Sequence, residues 1–296
     1  MHASWHRRWG AFLTIALTIA LIAAACAPDA EDVASGTILS TTTIATRTAV
    51  EPSSSTTSTE PLPTHPYGGD VVIGDDQEPP TLNIFVPGGD SSVAARVGQA
   101  YLAGAQEIDG NTLELVPELI SQLPTVANGG VTVNADNTMT VKYEIRDEAV
   151  WSDGVPVTGE DFQFTLDTIL NPDLPLSRTV YETVVESAYS DKTFQFTLAR
   201  PTAQYELLFN TVIPKHAVEG TDFVADWNDV MWPSAGPFIL SEWSKGEYLV
   251  LERNDSYWKV DQATGQQLPY LDEVVFRFIG STEGLVNAFK AREVDV

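Results

Sequence analysis

The chain is poor in the residues that most enzymes and metal proteins depend on. Of 296 residues one is cysteine, Cys26, and four are histidine. A single cysteine allows no intramolecular disulfide. His2, His6 and His65 stand in the first 65 residues, which leaves His216 alone in the rest of the chain. No His/Cys/Asp/Glu run has metal-ligand spacing, and neither Gly-x-Ser-x-Gly nor His-Glu-x-x-His occurs. His216 therefore reads as structural, and the expectation is no metal, no cofactor and no catalytic residue. A carboxylate pair of the glycosidase kind stays formally open, because sequence does not place two acids at a working separation. Positive charge is scarce as well, with 16 Lys and Arg against 41 Asp and Glu and a formal net charge of −25. That balance argues against nucleic acid and anionic lipid as partners, both of which need a basic face. It suits a cationic or zwitterionic ligand, or plain solubility.

Long apolar runs are nearly absent too. The one example covers residues 11–25, broken only by Thr14 and Thr18, behind Arg7 and Arg8. A charged start, a short apolar stretch and small residues before Cys26 describe an export signal rather than a membrane span. Ala23-Ala24-Ala25-Cys26 resembles a bacterial lipobox, with Leu21 five positions ahead of the cysteine where the pattern prefers three. The resemblance implies a signal peptide over 1–26, lipidation of Cys26 and anchoring on the extracytoplasmic face of the cell membrane. An ordinary cut near Ala25 would leave a free thiol. Residues 27–66 hold 21 Ser, Thr or Pro and few large apolar side chains. Such a segment buries too little surface to offset its chain entropy and reads as a disordered tether.

What remains, residues 67–296, is long enough for a sizeable core. Val71-Val72-Ile73 reads as a buried strand. Beyond it a Pro87-Gly88-Gly89-Asp90-Ser91-Ser92 loop leads to a helix, capped by Ser91 or Ser92, with Val93, Val97 and Tyr101 on one face. A Gly-Gly loop at a helix start suits a carboxylate or another polar group; it equally suits a plain turn. Val131 and Val133 approach an Asn-Ala-Asp-Asn turn, after which Met139, Val141, Tyr143 and Ile145 alternate, so a hairpin is expected. In Trp151-Ser152-Asp153-Gly154-Val155-Pro156-Val157-Thr158-Gly159-Glu160-Asp161-Phe162, Asp153-Gly154 supplies a turn. Thr158 then caps a helix, with Asp161 in capping-box position. Phe162, Leu166 and Ile169 give that helix an apolar face, and Trp151 is expected in the core. Phe194, Phe196 and Leu198 form a further alternating strand, followed by a helical segment near 205–209. A helix from Thr282 carries Leu285, Val286 and Phe289.

These runs resemble the extracellular solute-binding proteins of family 5, the dipeptide- and oligopeptide-binding proteins of ABC importers. The Trp-Ser-Asp-Gly-x-Pro-Val-Thr run carries the likeness most firmly. It continues through Leu115-Val116-Pro117-Glu118-Leu119, Ile213-Pro214-Lys215-His216, Gly236-Pro237-Phe238-Ile239-Leu240 with Trp243, and Tyr257-Trp258. Gly236 is expected where backbone approaches backbone, and the aromatics in the core, with a Trp or Tyr at the cleft rim open to ligand.

The resemblance implies an α/β fold of periplasmic-binding-protein type (type II, cluster C), a mixed sheet with flanking helices plus a small second lobe. Residues 67–108 and 199–296 would form an incomplete first ligand-binding lobe and 109–198 a small accessory lobe, with the second large lobe missing by truncation. It implies a substrate-binding lipoprotein that captures peptides or similar small solutes for import, with ABC permease subunits as partners. It places Phe85, Gly88, Gly89, Asp90 and Ser91 against the ligand. With one face of the cleft present, binding should be weak, and the surface facing the absent lobe apolar. A secreted hydrolase and a surface-anchored interaction module are the competing readings.

Overall fold

The structure, a computed structural model, describes residues 64–296. The signal segment, Cys26 and nearly all of the tether lie outside the described residues. The chain opens on β1 (Asp70–Asp75), passes through α1 (Ser92–Tyr101) and forms two short strands, β2 (Gln106–Ile108) and β3 (Leu115–Pro117). A hairpin of β4 (Val131–Val133) and β5 (Met139–Glu144) leads to α2 (Gly159–Leu170), and a second of β6 (Val184–Tyr189) and β7 (Thr193–Leu198) follows. After the short α3 (Lys215–Val218) come β8 (Phe238–Ser244), β9 (Tyr248–Arg253), β10 (Glu273–Phe278) and α4 (Thr282–Ala291). Among the described residues no helix is long and apolar enough to cross a membrane.

β1, β10, β9 and β8 form a mixed sheet in that order, with β1 parallel to β10 and the other neighbours antiparallel. Leu249, Leu251, Val274 and Phe276 alternate onto the face that meets Leu82 and the Val97 and Tyr101 stripe of α1. That stripe recurs every four residues, so one side of the helix is apolar and can be buried whole. β1 differs from the expected buried strand: Val71 and Ile73 are only half-buried. Its outer edge is covered by residues 295–296, where the Asp295 N–H donates to the Val72 carbonyl at 2.8 Å and the Gly74 N–H to the Val296 carbonyl at 3.0 Å.

The second four-stranded sheet, β4-β5-β7-β6, is wholly antiparallel. Period-two alternation puts Met139, Val141 and Tyr143 of β5 on the same face as Phe194, Phe196 and Leu198 of β7, under Phe162, Leu166 and Ile169 of α2. Tyr143 meets Phe162, Phe196 and Phe209 edge-on at centroid distances of 5.4–5.9 Å. This core also recruits Ala103, Ala105, Leu208, Val212 and Ala235, from outside the sheet's own segment. Trp151 is buried in it at 1% exposure. The helical segment near 205–209 is a single 3-10 turn, Ala203–Leu207, and Phe209 beyond it adopts φ 57° as the chain turns inward. On α4 Ala288 is buried, while Val286 and Phe289 are 46% and 58% exposed.

Candidate functional site

The loop between β1 and α1 is held from beneath by buried polar side chains. Asn83 accepts the Phe85 N–H at 3.1 Å and donates to the Phe223 carbonyl at 2.7 Å. Thr81 accepts the Asn83 N–H at 3.1 Å and donates to Asn228 at 2.8 Å. Fully buried amide and hydroxyl groups are stable only when so satisfied, and here their bonds tie residues 81–85 to residues 223–228.

The five loop residues singled out in the sequence have different fates. Phe85 is half-buried against Phe223 and Trp232, with ring centroids 5.9 and 6.3 Å away. Gly88 takes φ 92°, and Gly89 is buried where a Cβ would stand 2.1 Å from the Asn83 carbonyl oxygen. Ser91 caps α1, its hydroxyl accepting the Ala94 N–H at 3.4 Å. Asp90 alone is exposed. Not all the loop N–H groups are free: that of Gly89 donates to Val86 and that of Ser91 to Gly88. Among the described residues those of Gly88 and Asp90 have no partner, so the loop brings two free donors to a helix N-terminus.

A separate cleft of 510 Å³ runs between residues 229–234 and the outer edge of β8. Ser152 reaches it from the Trp-Ser-Asp-Gly turn, its N–H donating to the Ser234 carbonyl at 2.8 Å. The chain crosses itself tightly at this level, since a Cβ on Gly236 would meet the Tyr101 carbonyl oxygen at 2.3 Å. Trp232 and Trp243 supply the aromatic lining, and the Trp243 indole N–H donates to Glu78 at 2.9 Å. The Lys245 ammonium sits 3.0 Å from the Trp243 ring centroid and 2.7 Å from the Asp229 carboxylate. Ser152 and the 229–234 run were missed in the sequence. A strand edge and an irregular segment show no periodicity, and only Trp243 carried a signal.

His216 pairs with Asp153, Nε2 to Oδ2 at 2.8 Å, and packs near Trp151 at 6.4 Å between ring centroids. It thus joins the two motif runs to each other. Glu118 is buried and accepts the Gly104 N–H at 3.0 Å; burial, with Glu107 adding to it, pushes its carboxyl up to about 8. Among the described residues no group of three or more His, Cys, Asp or Glu is arranged to hold a metal ion.

Comparison with known proteins places this arrangement. Residues 114–296 match the family described as bacterial extracellular solute-binding proteins, family 5 Middle. The periplasmic oligopeptide-binding protein OppA of Escherichia coli is 27% identical over 229 residues, covering 64% of this chain and 40% of that protein. The oligopeptide-binding protein OppA of Mycobacterium bovis is 28% identical over 264 residues, covering 85% of this chain and 42% of that protein. The chain thus spans about two fifths of the length of these relatives. The oligopeptide-binding protein of Thermus thermophilus, solved with a pentapeptide, superposes with a TM-score of 0.65 at 23% identity, over 76% of this chain and 44% of that one. AppA of Bacillus subtilis, solved with a nonapeptide, gives 0.65 at 21%, over 78% and 44%. These neighbours share the fold of periplasmic binding proteins, with its mixed α/β sheets. By its motifs, its matched span and its fold, the chain belongs to the bacterial extracellular solute-binding proteins of family 5.

Proposed function

We propose that this protein captures a peptide or similar small solute outside the cytoplasmic membrane and presents it to the permease of an ABC importer, held to the membrane by a lipid on Cys26. The observation that carries the reading is the loop over residues 85–91, in a chain of this family. A buried Asn83–Thr81 network fixes the loop, and the N–H groups of Gly88 and Asp90 stand free beside the start of α1. Rigid donors at the positive end of a helix suit a ligand carbonyl or carboxylate.

Residues 67–108 and 199–296 are read as one lobe and 109–198 as a smaller one. In the whole protein, solute would make contacts in the closed state that it lacks in the open one, and so shift the population between them. The peptides named for the OppA relatives support a peptide as the solute. The test is mass spectrometry of small molecules released from the natively purified full-length protein, followed by calorimetry with those molecules. Copurifying peptides whose affinity falls on Asp90→Pro, which deletes one free N–H, are the expected result. Turnover of a peptide or glycoside without stoichiometric retention would overturn the reading in favour of a hydrolase.

A further inference from the structure

Among the described residues the outer edge of β8 pairs with no strand, and a second wall of backbone faces it. In the antiparallel β8–β9 pair the Asn254 N–H donates to the Pro237 carbonyl at 2.9 Å, while the Arg253 N–H turns the other way, to the Asp272 carbonyl at 2.8 Å. Backbone polarity alternates along a strand. Leu251 and Leu249 therefore share the direction of Arg253, and their β8 partners Leu240 and Trp243 point N–H and C=O away from β9, into the cleft. A shift of register between Leu240 and Glu242 carries the pattern across the bulge. Among the described residues these outward groups have no partner, and neither do the backbone groups of residues 229–233 across the cleft. Unpaired backbone on both walls of a 510 Å³ slot is a template for a third extended segment.

The charge around the slot selects what that segment carries. Glu78, Asp229 and Glu242 stand around it, and among the described residues the ammonium seated there is that of Lys245. Trp243 cannot turn freely, because Glu78 holds its indole N–H and the Gly246 N–H at 2.9 Å each. A fixed indole face beside a carboxylate is an ammonium cradle, and the protein's own Lys245 fills it from an exposed hairpin turn.

We propose that the β8 edge is a peptide-docking site separate from residues 85–91, which takes a short extended peptide by strand addition while the peptide's lysine displaces Lys245 from Trp243 and Asp229. The site goes beyond the solute-capture reading and does not depend on it, since all its groups lie within residues 78–248.

The experiment uses isotope-labelled full-length protein and the blocked peptide acetyl-Val-Lys-Val-Thr-amide, whose capped ends offer nothing to a site that reads a free carboxylate. Expected are saturable amide shifts at Leu240 and Trp243 and in the Trp243 indole. Affinity should fall about tenfold when the peptide backbone is N-methylated at alternate residues, and severalfold when glutamate replaces its lysine or on Asp229→Asn. Lys245→Ala should tighten binding severalfold, because the internal competitor is gone. Equal binding of the N-methylated peptide, shifts confined to residues 85–94, no shift at millimolar peptide, or sedimentation showing that the edge is closed by a second copy of the chain would each overturn the proposal. A failure here leaves the copurification result untouched, so the two readings fail separately.

Discussion

Oδ1 of Asp161 accepts the backbone N–H of Lys215 at 2.9 Å, fastening the first turn of α2 to the start of α3. Its other oxygen accepts the Thr158 N–H at 2.9 Å, so one buried carboxylate both caps a helix and joins two segments. The Thr165 hydroxyl one turn on repeats the device, donating to the Asp161 carbonyl at 2.8 Å and accepting the Ile213 N–H at 2.9 Å. Asp161→Ala strands two part-buried donors and opens a gap at a buried position, and should destabilise the fold by about 1–3 kcal/mol. Urea melts of the two proteins would measure this, and a loss below ~0.5 kcal/mol would contradict it.

Trp151 is the largest fully buried side chain of the core around β5 and β7. Trp151→Ala should cost roughly 3–5 kcal/mol. Thermal denaturation followed by circular dichroism is the check. A melting temperature close to that of the parent would remove the motif's leading residue from any role in stability.

Stability should depend on pH through Glu118. Burial holds its folded pKa at about 8, above the ordinary 4.5, so the folded state keeps a proton that the unfolded chain gives up. Its contribution is fully present below about 4.5 and is lost as pH rises through about 8. Over that window stability should fall by several kcal/mol, on the order of 3–5. Glu118→Gln keeps an acceptor for the Gly104 N–H and should flatten the slope. Denaturant midpoints at pH 5 and 8.5 separate the outcomes, and an unchanged slope in the variant would assign the dependence elsewhere.

Gly89→Ala tests the loop. A methyl group 2.1 Å from the Asn83 carbonyl oxygen forces backbone apart, at a cost of about 1–3 kcal/mol. Calorimetry should show weakened solute affinity together with the lower stability. An unaltered affinity would detach residues 85–91 from solute capture.

Val286 and Phe289 expose large apolar surface on one helix, and adjoining exposed apolar side chains favour association. The double change Val286→Ser with Phe289→Ser should leave the unfolding free energy within about 0.5 kcal/mol of the parent and reduce concentration-dependent association in sedimentation runs. Undiminished association would place the sticky surface elsewhere.

The elements with a strict period were legible from the amino acids alone. Met139, Val141 and Tyr143, the Val97 and Tyr101 stripe, and the Thr158–Asp161 cap all stand where local pattern puts them. Gly236 also sits at a backbone crossing, as its motif implied. The half-burial of β1 was not legible, because a Val-Val-Ile run reads the same whether one face or both are covered. The exposure of Phe289 was hidden for a similar reason: an amphipathic stripe shows which face is apolar and not whether anything covers it. Of the loop, the Ser91 cap was visible, whereas the Asn83–Thr81 network rests on partners at 223 and 228 that no local pattern connects. The β8 cleft is assembled from a turn, an irregular run and a strand edge, and none of these has a signature of its own.

The parallel pairing of β1 with β10 has a consequence for the order of folding. Asp70 finds its partner in Glu273, roughly two hundred residues later, and closing so long a loop is entropically slow. The first of the described strands therefore waits for about two hundred residues of synthesis before β10 arrives, whereas β4 to β7 can pair as soon as they are made. During that interval the Val71 to Ile73 stretch is an unpaired apolar edge in search of any strand. Substitutions that slow the arrival of β10 would then act on yield and aggregation before they act on the finished molecule.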